Sequence, residues 1–303
     1  MSTIPLRCIG AVTHTQVVAP WATAAGEELA RIRGVCLDID DTLSTKGKLT
    51  AEAFAALWDL HEAGYCVVPV TGRPAGWCDQ IARFWPVDAV IGENGAFAFF
   101  IENGMRRRLD TPGAYVGGRE QLQGLGAAIQ QRFPHARWAS DQAYREFDLA
   151  IDLCEDVQPW QQNDVEALLA LCRAAGAHAR LSSIHVNTWF GDYDKRRGFE
   201  GWLAQGAPGV RSVVPEPDEW LFIGDSPNDE PLFASFRHSV GVANLARFLP
   251  LLETPPHWLT NGSSGAGFCE MAGRLIAARH GTDSRSEAPA WMNRAASNPV
   301  LNR

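Results

Sequence analysis

The stretch that most constrains this chain is residues 37–43, LDIDDTL, where an apolar run (Val35, Cys36, Leu37) leads directly into two carboxylates, Asp38 and Asp40. An apolar run that stops on paired acids reads as a buried strand ending at a polar sheet edge. Period-two geometry turns both acids to one side there, while Ile39 points away. Such a strand end can supply a nucleophile and, next to it, a proton carrier, provided that a cation offsets their charge toward an anionic substrate. A lone Asp-x-Asp is more commonly an acidic turn before a helix, so its meaning depends on the other strand ends.

Those strand ends follow in order. Thr50 can cap a helix whose apolar residues Phe54, Leu57 and Trp58 fall on one stripe, ending at Gly64. Residues 65–70 are a continuous apolar run, as in a strand buried on both faces, and it stops at Thr71-Gly72-Arg73-Pro74. Pro74 suits the first turn of a helix reaching about Phe84, and a strand over 87–91 runs into the turn Glu93-Asn94-Gly95-Ala96. This β-α-β-α-β order predicts an α/β fold with a doubly wound parallel sheet.

From Phe97 the pattern changes to hairpin strands (97–101, 105–109), a helix over 118–132 and a strictly alternating strand over 147–153. A helix over 161–175 and two strands near 178–190 complete what reads as an inserted α+β cap domain. Lys195 then opens a helix, residues 220–223 form a buried strand ending in Gly224-Asp225, and short strands near 240–243 and 257–259 resume the first sheet. The expected division is a core of residues 1–96 and 191–280, a cap of residues 97–190 and a mobile, disordered tail over 281–303. Residues 1–30 are an N-terminal extension with a short helix near 27–33. No internal repeat is present.

Of 303 residues, 46% are hydrophobic and 20% charged, a globular composition with room for two cores. A net charge of -8 gives no basic face to track a nucleic-acid backbone. Arg106, Arg107 and Arg108 form a basic run, expected on a solvated hairpin edge. Seven cysteines, an odd number with no Cys-x-x-Cys, indicate neither a zinc site nor a disulfide framework but reduced thiols. No stretch approaches the ~20 apolar residues of a membrane span, and the first residues, broken by Pro5 and Pro20, lack a secretory signal. The expectation is a cytoplasmic protein without membrane or nucleic-acid partners.

In an open α/β sheet, ligands bind outside the carboxyl ends of the strands. Asp38 and Asp40 end one strand and Thr71 and Gly72 another. Asp225, Ser226, Asn228 and Asp229 sit in the turn GDSPND, with Lys195 at a helix start. So many carboxylates at one edge would repel, which implies a hard divalent cation with oxygen ligands, Mg²⁺ being the natural one. A hydroxyl, backbone amides and an ammonium around that cation make a cradle for a phosphoryl group. A calcium loop over DIDDTLSTKGKL is ruled out, because Leu43 takes the place of its glycine and Leu49 that of its last acid.

LDIDDTL, VTGRP, Lys195 and GDSPND, in this order and strand context, resemble the four motifs of the haloacid dehalogenase superfamily of phosphohydrolases. The ENGA turn and the size of the insertion resemble its Cof-like branch, subfamily IIB, which includes sugar-phosphate phosphatases and eukaryotic phosphomannomutases. The resemblance covers about residues 33–278. It implies that Asp38 attacks phosphorus to give an aspartyl-phosphate, and that Asp40 protonates the leaving oxygen and then activates water. Thr71, Gly72 and Asn228 would bind phosphoryl oxygens, and Lys195 would neutralise nucleophile and phosphate. Asp225 and Asp229 would complete the Mg²⁺ site with Asp38 and the Asp40 carbonyl.

The function expected is a Mg²⁺-dependent phosphatase acting on a small phosphorylated metabolite, most plausibly a sugar phosphate. FGDYDK before Lys195 leaves a phosphomutase of the phosphomannomutase type as the alternative, and a catalytically silent phospho-ligand binder as a third. In the cap, alternation predicts Ile184, Val186 and Phe190 against the cap helices, with Phe147, Leu149, Ile151 and Leu153 as the matching set. That leaves His185, Asn187 and Trp189 to face the substrate, with Arg73 either contacting substrate or capping the sheet edge.

Overall fold

A computed structural model of the chain describes residues 18–114, 118–279 and 281. A six-stranded parallel sheet forms its core, in the order β1 (Ala19–Pro20), β12 (Trp258–Leu259), β11 (His238–Gly241), β10 (Trp220–Gly224), β2 (Gly34–Leu37), β3 (Cys66–Pro69). The central strands are buried along their whole length because helices cover both faces. Val35, Leu37 and Val67 pack with α2 (Ala51–Glu62) and α8 (Ser264–Arg279). Cys36, Val68 and Phe222 face the other way, toward Phe199 and Trp202 of α6 (Lys195–Ala204) and Phe233 of α7 (Glu230–Ser235).

Register is what creates the site. Leu37 lies opposite Ile223 on one side and Pro69 on the other, so β2, β10 and β3 end level and deliver Asp38, Asp225 and Thr71 to one edge. Further bonds hold the exits in place, Asp38 N–H to the Ile223 carbonyl at 2.9 Å and Val70 N–H to that of Leu37 at 2.8 Å.

Thr50 caps α2 as expected, its hydroxyl accepting from Ala53 N–H at 3.2 Å. The helix's buried stripe differs from the expected one. Ala53, Ala56, Leu57 and Leu60 face the core, whereas Trp58 is 41% exposed. Helix α8 is the reason. It lies so close that a Cβ on Gly265 would come within 3.3 Å of the Ala53 methyl, a spacing that selects small residues over aromatic ones. The N-terminal extension also contributes structure where it is described. Helix α1 spans Gly26–Leu29, β1 closes the sheet edge, Trp21 is fully buried, and Arg274 donates to the carbonyls of Trp21 and Ala24 at 2.9 and 2.8 Å. The rest of the extension and the expected tail from residue 282 lie outside the described residues.

Helix α3 (Ala75–Phe84) leads to β4 (Ala89–Gly92), which continues the main sheet through a parallel bridge between Val70 and Ile91. β4 then pairs antiparallel with the hairpin of β5 (Phe97–Glu102) and β6 (Met105–Asp110). The expected domain boundary at residue 97 thus falls inside a hydrogen-bonded sheet. The three arginines lie on β6, where Arg106 pairs with Asp79 and Arg108 with Asp110 and Glu146.

The inserted unit has its own antiparallel sheet, ordered β7 (Asp148–Asp152), β9 (His185–Trp189), β8 (His178–Leu181). Helices α4 (Arg119–Arg132) and α5 (Gln162–Ala174) cover one face, with Leu125, Ile129, Leu168 and Cys172 packing on Ile151 and Val186. Leu149 and Phe190 join that cluster as alternation requires, but Phe147 and Ile184 do not. Among the described residues the six cysteines are unpaired, and no helix is long and apolar enough to cross a membrane.

Candidate active site

Four chain segments converge at the level ends of β2, β3 and β10. Lys195, the first residue of α6, is 1% exposed, and its Nζ donates to Asp38 Oδ1 at 2.6 Å and to Asp229 Oδ1 at 2.7 Å. Its place is fixed by two local devices. Asp194 caps α6, accepting from Arg197 N–H at 2.9 Å. The ENGA turn lies against that helix start, where Gly95, at φ +105°, leaves no room for a Cβ beside the Asp194 carbonyl, and a Cβ on Gly198 would come within 2.6 Å of Gly95 Cα.

The GDSPND turn is stitched together in the same way. Asp229 Oδ2 accepts the N–H groups of Asp225 at 3.0 Å and Ser226 at 3.2 Å, and Asn228 Oδ1 accepts from the Ser226 hydroxyl at 2.7 Å. On the β3 side Thr71 is fully buried, its hydroxyl accepting from Arg73 N–H at 3.0 Å, and Asn94 N–H donates to the Thr71 carbonyl at 3.0 Å.

Three carboxylates here share one ammonium. Oxygens of Asp38, Asp225 and Asp229 lie within 4.8 Å of one another, and all three residues are buried. Burial, opposed by Lys195 and reinforced by Asp229, pushes the Asp38 carboxyl up to about 8, and burial with Asp38 and Asp229 pushes Asp225 well above the usual carboxylate range. The two carboxylates hold Lys195 above its ordinary value despite its burial. One cation is therefore too little to hold Asp38 and Asp225 in the ordinary carboxylate range. Asn244 Nδ2 donates to Asp225 Oδ2 at 3.2 Å, whereas Asp225 Oδ1 is buried without a partner. An all-oxygen donor set with excess negative charge and an orphaned oxygen fits a hard divalent cation.

The remaining expected residues divide. Asp38, Asp40, Gly72, Arg73 and Asn228 line one narrow cleft, and from the cap His185 and Asn187 reach it, together with Ser182, Ser183 and Ile184 of the turn before β9. Trp189 does not. It shares a strand face with His185 but sits four residues on, ~13 Å along the strand. There it is 1% exposed, stacks on Tyr193 and His178, and its Nε1 donates to the Tyr193 carbonyl at 3.0 Å. Asn187 Nδ2 donates to Asp148 Oδ2 at 2.9 Å. Arg73 is engaged by Asp40, its Nε at 2.8 Å and Nη2 at 2.6 Å, and by Glu155 of the cap at 2.9 Å.

Glu155, Ser182, Ser183 and Asn244 carry no motif, and only the docking of cap on core and of the segment after β11 brings them here. Glu93 of the ENGA turn is a further buried carboxylate, accepting N–H groups of Ala75, Glu146 and Phe147 at 3.1, 2.9 and 2.6 Å, and it fastens the cap to the core.

Fold and site together define a Rossmann-like α/β enzyme with a carboxylate cleft under an inserted cap. The model of haloacid dehalogenase-like hydrolases matches residues 35–108. A phosphoglycolate phosphatase of Halorubrum lacusprofundi is 30% identical over 219 residues, covering 69% of this chain and 84% of that protein. The chain belongs to the haloacid dehalogenase-like hydrolases and is a phosphatase of that family. In fold it is similar to the C-terminal domain of trehalose-6-phosphate phosphatase from C. albicans (TM-score 0.63, 13% identity, 83% of this chain and 94% of that one). A HAD/COF-like hydrolase from Plasmodium vivax is similar too, with TM-score 0.62, 16% identity, and 83% of this chain and 99% of that one covered.

Proposed function

We propose that the protein is a Mg²⁺-dependent phosphatase of a small, polar phosphorylated metabolite, with a sugar phosphate as the leading substrate class. The observation that carries this reading is Lys195 bridging Asp38 and Asp229, at 2.6 and 2.7 Å, with Asp38 lining the cleft beside Asp40 and Gly72. A second substrate class, phosphoglycolate, is favoured by the narrowness of the cleft and by the similarity to a phosphoglycolate phosphatase. The core supplies the chemistry and the cap, docked over the cleft, supplies the contacts to the leaving group.

In this reading a carboxylate oxygen of Asp38 attacks phosphorus, and the bond to the ester oxygen breaks as Asp40 gives that oxygen its proton. Water then attacks the aspartyl-phosphate, Asp40 takes the proton, and Asp38 and phosphate are released. The Thr71 hydroxyl, Gly72 N–H and Asn228 hold phosphoryl oxygens while Lys195 offsets the charge that develops on them. Asp38, Asp225 and the Asp40 carbonyl would hold Mg²⁺, with Asp229 orienting the turn. When bound, the ion offsets carboxylate charge and polarises the phosphoryl group.

The test is phosphate release from a library of phosphorylated metabolites, with Mg²⁺ and with chelator. Release confined to the Mg²⁺ arm is expected. Hexose phosphate isomerised without free phosphate would replace this reading by a mutase, and silence across the library would leave a binding protein.

A further inference from the structure

The seam between cap and core carries a chain of ion pairs that the reaction steps leave unused. Arg73 is 4% exposed, and its guanidinium holds Asp40 with Nε at 2.8 Å from Oδ2 and Nη2 at 2.6 Å from Oδ1. The same Nη2 donates to Glu155 Oε1 at 2.9 Å, and Nη1 lies 3.4 Å from Asp141 Oδ2, both carboxylates being on the cap. Trp77 underlies the guanidinium at 4.3 Å. Glu155 is itself fixed, its N–H bonded to Asp152 Oδ1 at 2.8 Å and its Oε2 2.9 Å from His185 Nε2. A planar fork can hold carboxylates from two domains in one fixed relation, which a single ammonium cannot.

We propose that Arg73 and Glu155 are positioning residues through which docking of the cap places the proton-transferring carboxyl of Asp40. With the cap docked, Glu155 and Asp141 fix the fork, and the fork fixes Asp40 beside Asp38 in the cleft. With the cap lifted, Arg73 loses both cap carboxylates, and Asp40 is held by a side chain free to turn. Proton delivery is then available only after the leaving group has been enclosed. The proposal rests on the reading of Asp40 as proton donor, and it goes beyond that reading in making the donor's position depend on the cap.

A leaving group that needs no proton separates this role from a merely structural one. The experiment measures kcat and KM on p-nitrophenyl phosphate and on the fastest alkyl phosphate of the metabolite screen, for Glu155→Gln, Arg73→Lys, Asp40→Asn and the double variant Asp40→Asn/Glu155→Gln. Glu155 is partly exposed and the amide is nearly isosteric, so this variant keeps the fold. Expected for Glu155→Gln and Arg73→Lys is a loss of kcat on the order of ten-fold or more on the alkyl phosphate and of at most about three-fold on p-nitrophenyl phosphate, with KM little changed. The double variant should be no slower than Asp40→Asn alone. Equal losses on both substrates, a change confined to KM, or multiplicative losses in the double variant overturn the proposal. If Asp40→Asn itself fails to discriminate the two leaving groups, the acid–base reading falls. If it discriminates and Glu155→Gln does not, the positioning role alone falls.

Discussion

The cleft at the strand ends and the seam beneath the cap use the same components. In the cleft Asp38 and Asp229 hold Lys195 with Asp225 beside them, and in the seam Glu93, Asp141 and Asp148 surround Arg145. Every carboxylate oxygen of the seam has a partner, although Asn94 Oδ1 beside them does not. Asp148 accepts from Arg145 at 2.9 Å, Asn94 at 3.1 Å and Asn187 at 2.9 Å, and both Glu93 oxygens accept backbone N–H groups. The cleft leaves a carboxylate oxygen, Asp225 Oδ1, buried without a partner. A buried polar cluster whose partners are all supplied by the chain is there to hold parts together. One that leaves a carboxylate oxygen unpartnered is prepared for a ligand that brings positive charge.

The strongest way to break this contrast is Asp38→Asn. An amide cannot attack phosphorus, so kcat should fall on the order of a thousand-fold or more while the fold survives. Retention of a tenth of wild-type turnover, with contamination excluded, would sink the nucleophile assignment. Next come the two charges beside it. Asp225→Ala should lose activity that added Mg²⁺ partly restores, because a ligand has been removed, whereas Lys195→Ala should not be rescued by metal at all. Identical metal titrations for the two variants would contradict that division of roles.

How far each cluster could be read from the sequence follows the same contrast. Asp38, Thr71 and Asp225 were legible because each ends a short apolar run, and a parallel sheet brings such ends to one edge whatever the intervening helices do. Asn187 and His185 were placed by strand alternation and reach the cleft. Trp189 followed the same parity yet lies too far along the strand, because alternation gives a face and not a distance. Glu155 and Asp141 had no signature, since their partner Arg73 meets them only once two domains dock. Helix α8 escaped although Phe268, Met271 and Leu275 are its buried apolar stripe, because Gly265, Gly267 and Gly273 within it argue against a helix on propensity.

The seam has its own test. Asp148→Asn leaves Arg145 with Asp141 as its one remaining ion-pair partner and breaks a pair whose side chains are both 0% exposed. Removing one partner of such a pair should destabilise the protein by about 3–5 kcal/mol, measured by denaturant unfolding with chelator present. A loss below about 1 kcal/mol would mean that Asn94, Asn187 and backbone groups hold the seam without the charge.

The smallest expected effect is the most discriminating, because its sign is opposite. Asp225→Asn replaces a buried carboxylate whose charge is opposed by burial, Asp38 and Asp229. The new amide can still accept from Asn244 through its oxygen, and its NH₂ replaces an acidic oxygen that lay within 4.8 Å of those of Asp38 and Asp229, so a repulsion becomes an attraction. In chelator the variant should therefore be more stable than wild type by about 1 kcal/mol. In saturating Mg²⁺ the order should reverse, since wild type gains about 2.7 kcal/mol at a hundred-fold excess over Kd while the variant, short of a ligand, gains little. Crossing stability curves for Asp225→Asn, beside a simple loss for Asp148→Asn, would mark one cluster as built for an ion and the other as built for the fold. A variant less stable than wild type in both conditions would show that the cleft, like the seam, is satisfied by the chain alone.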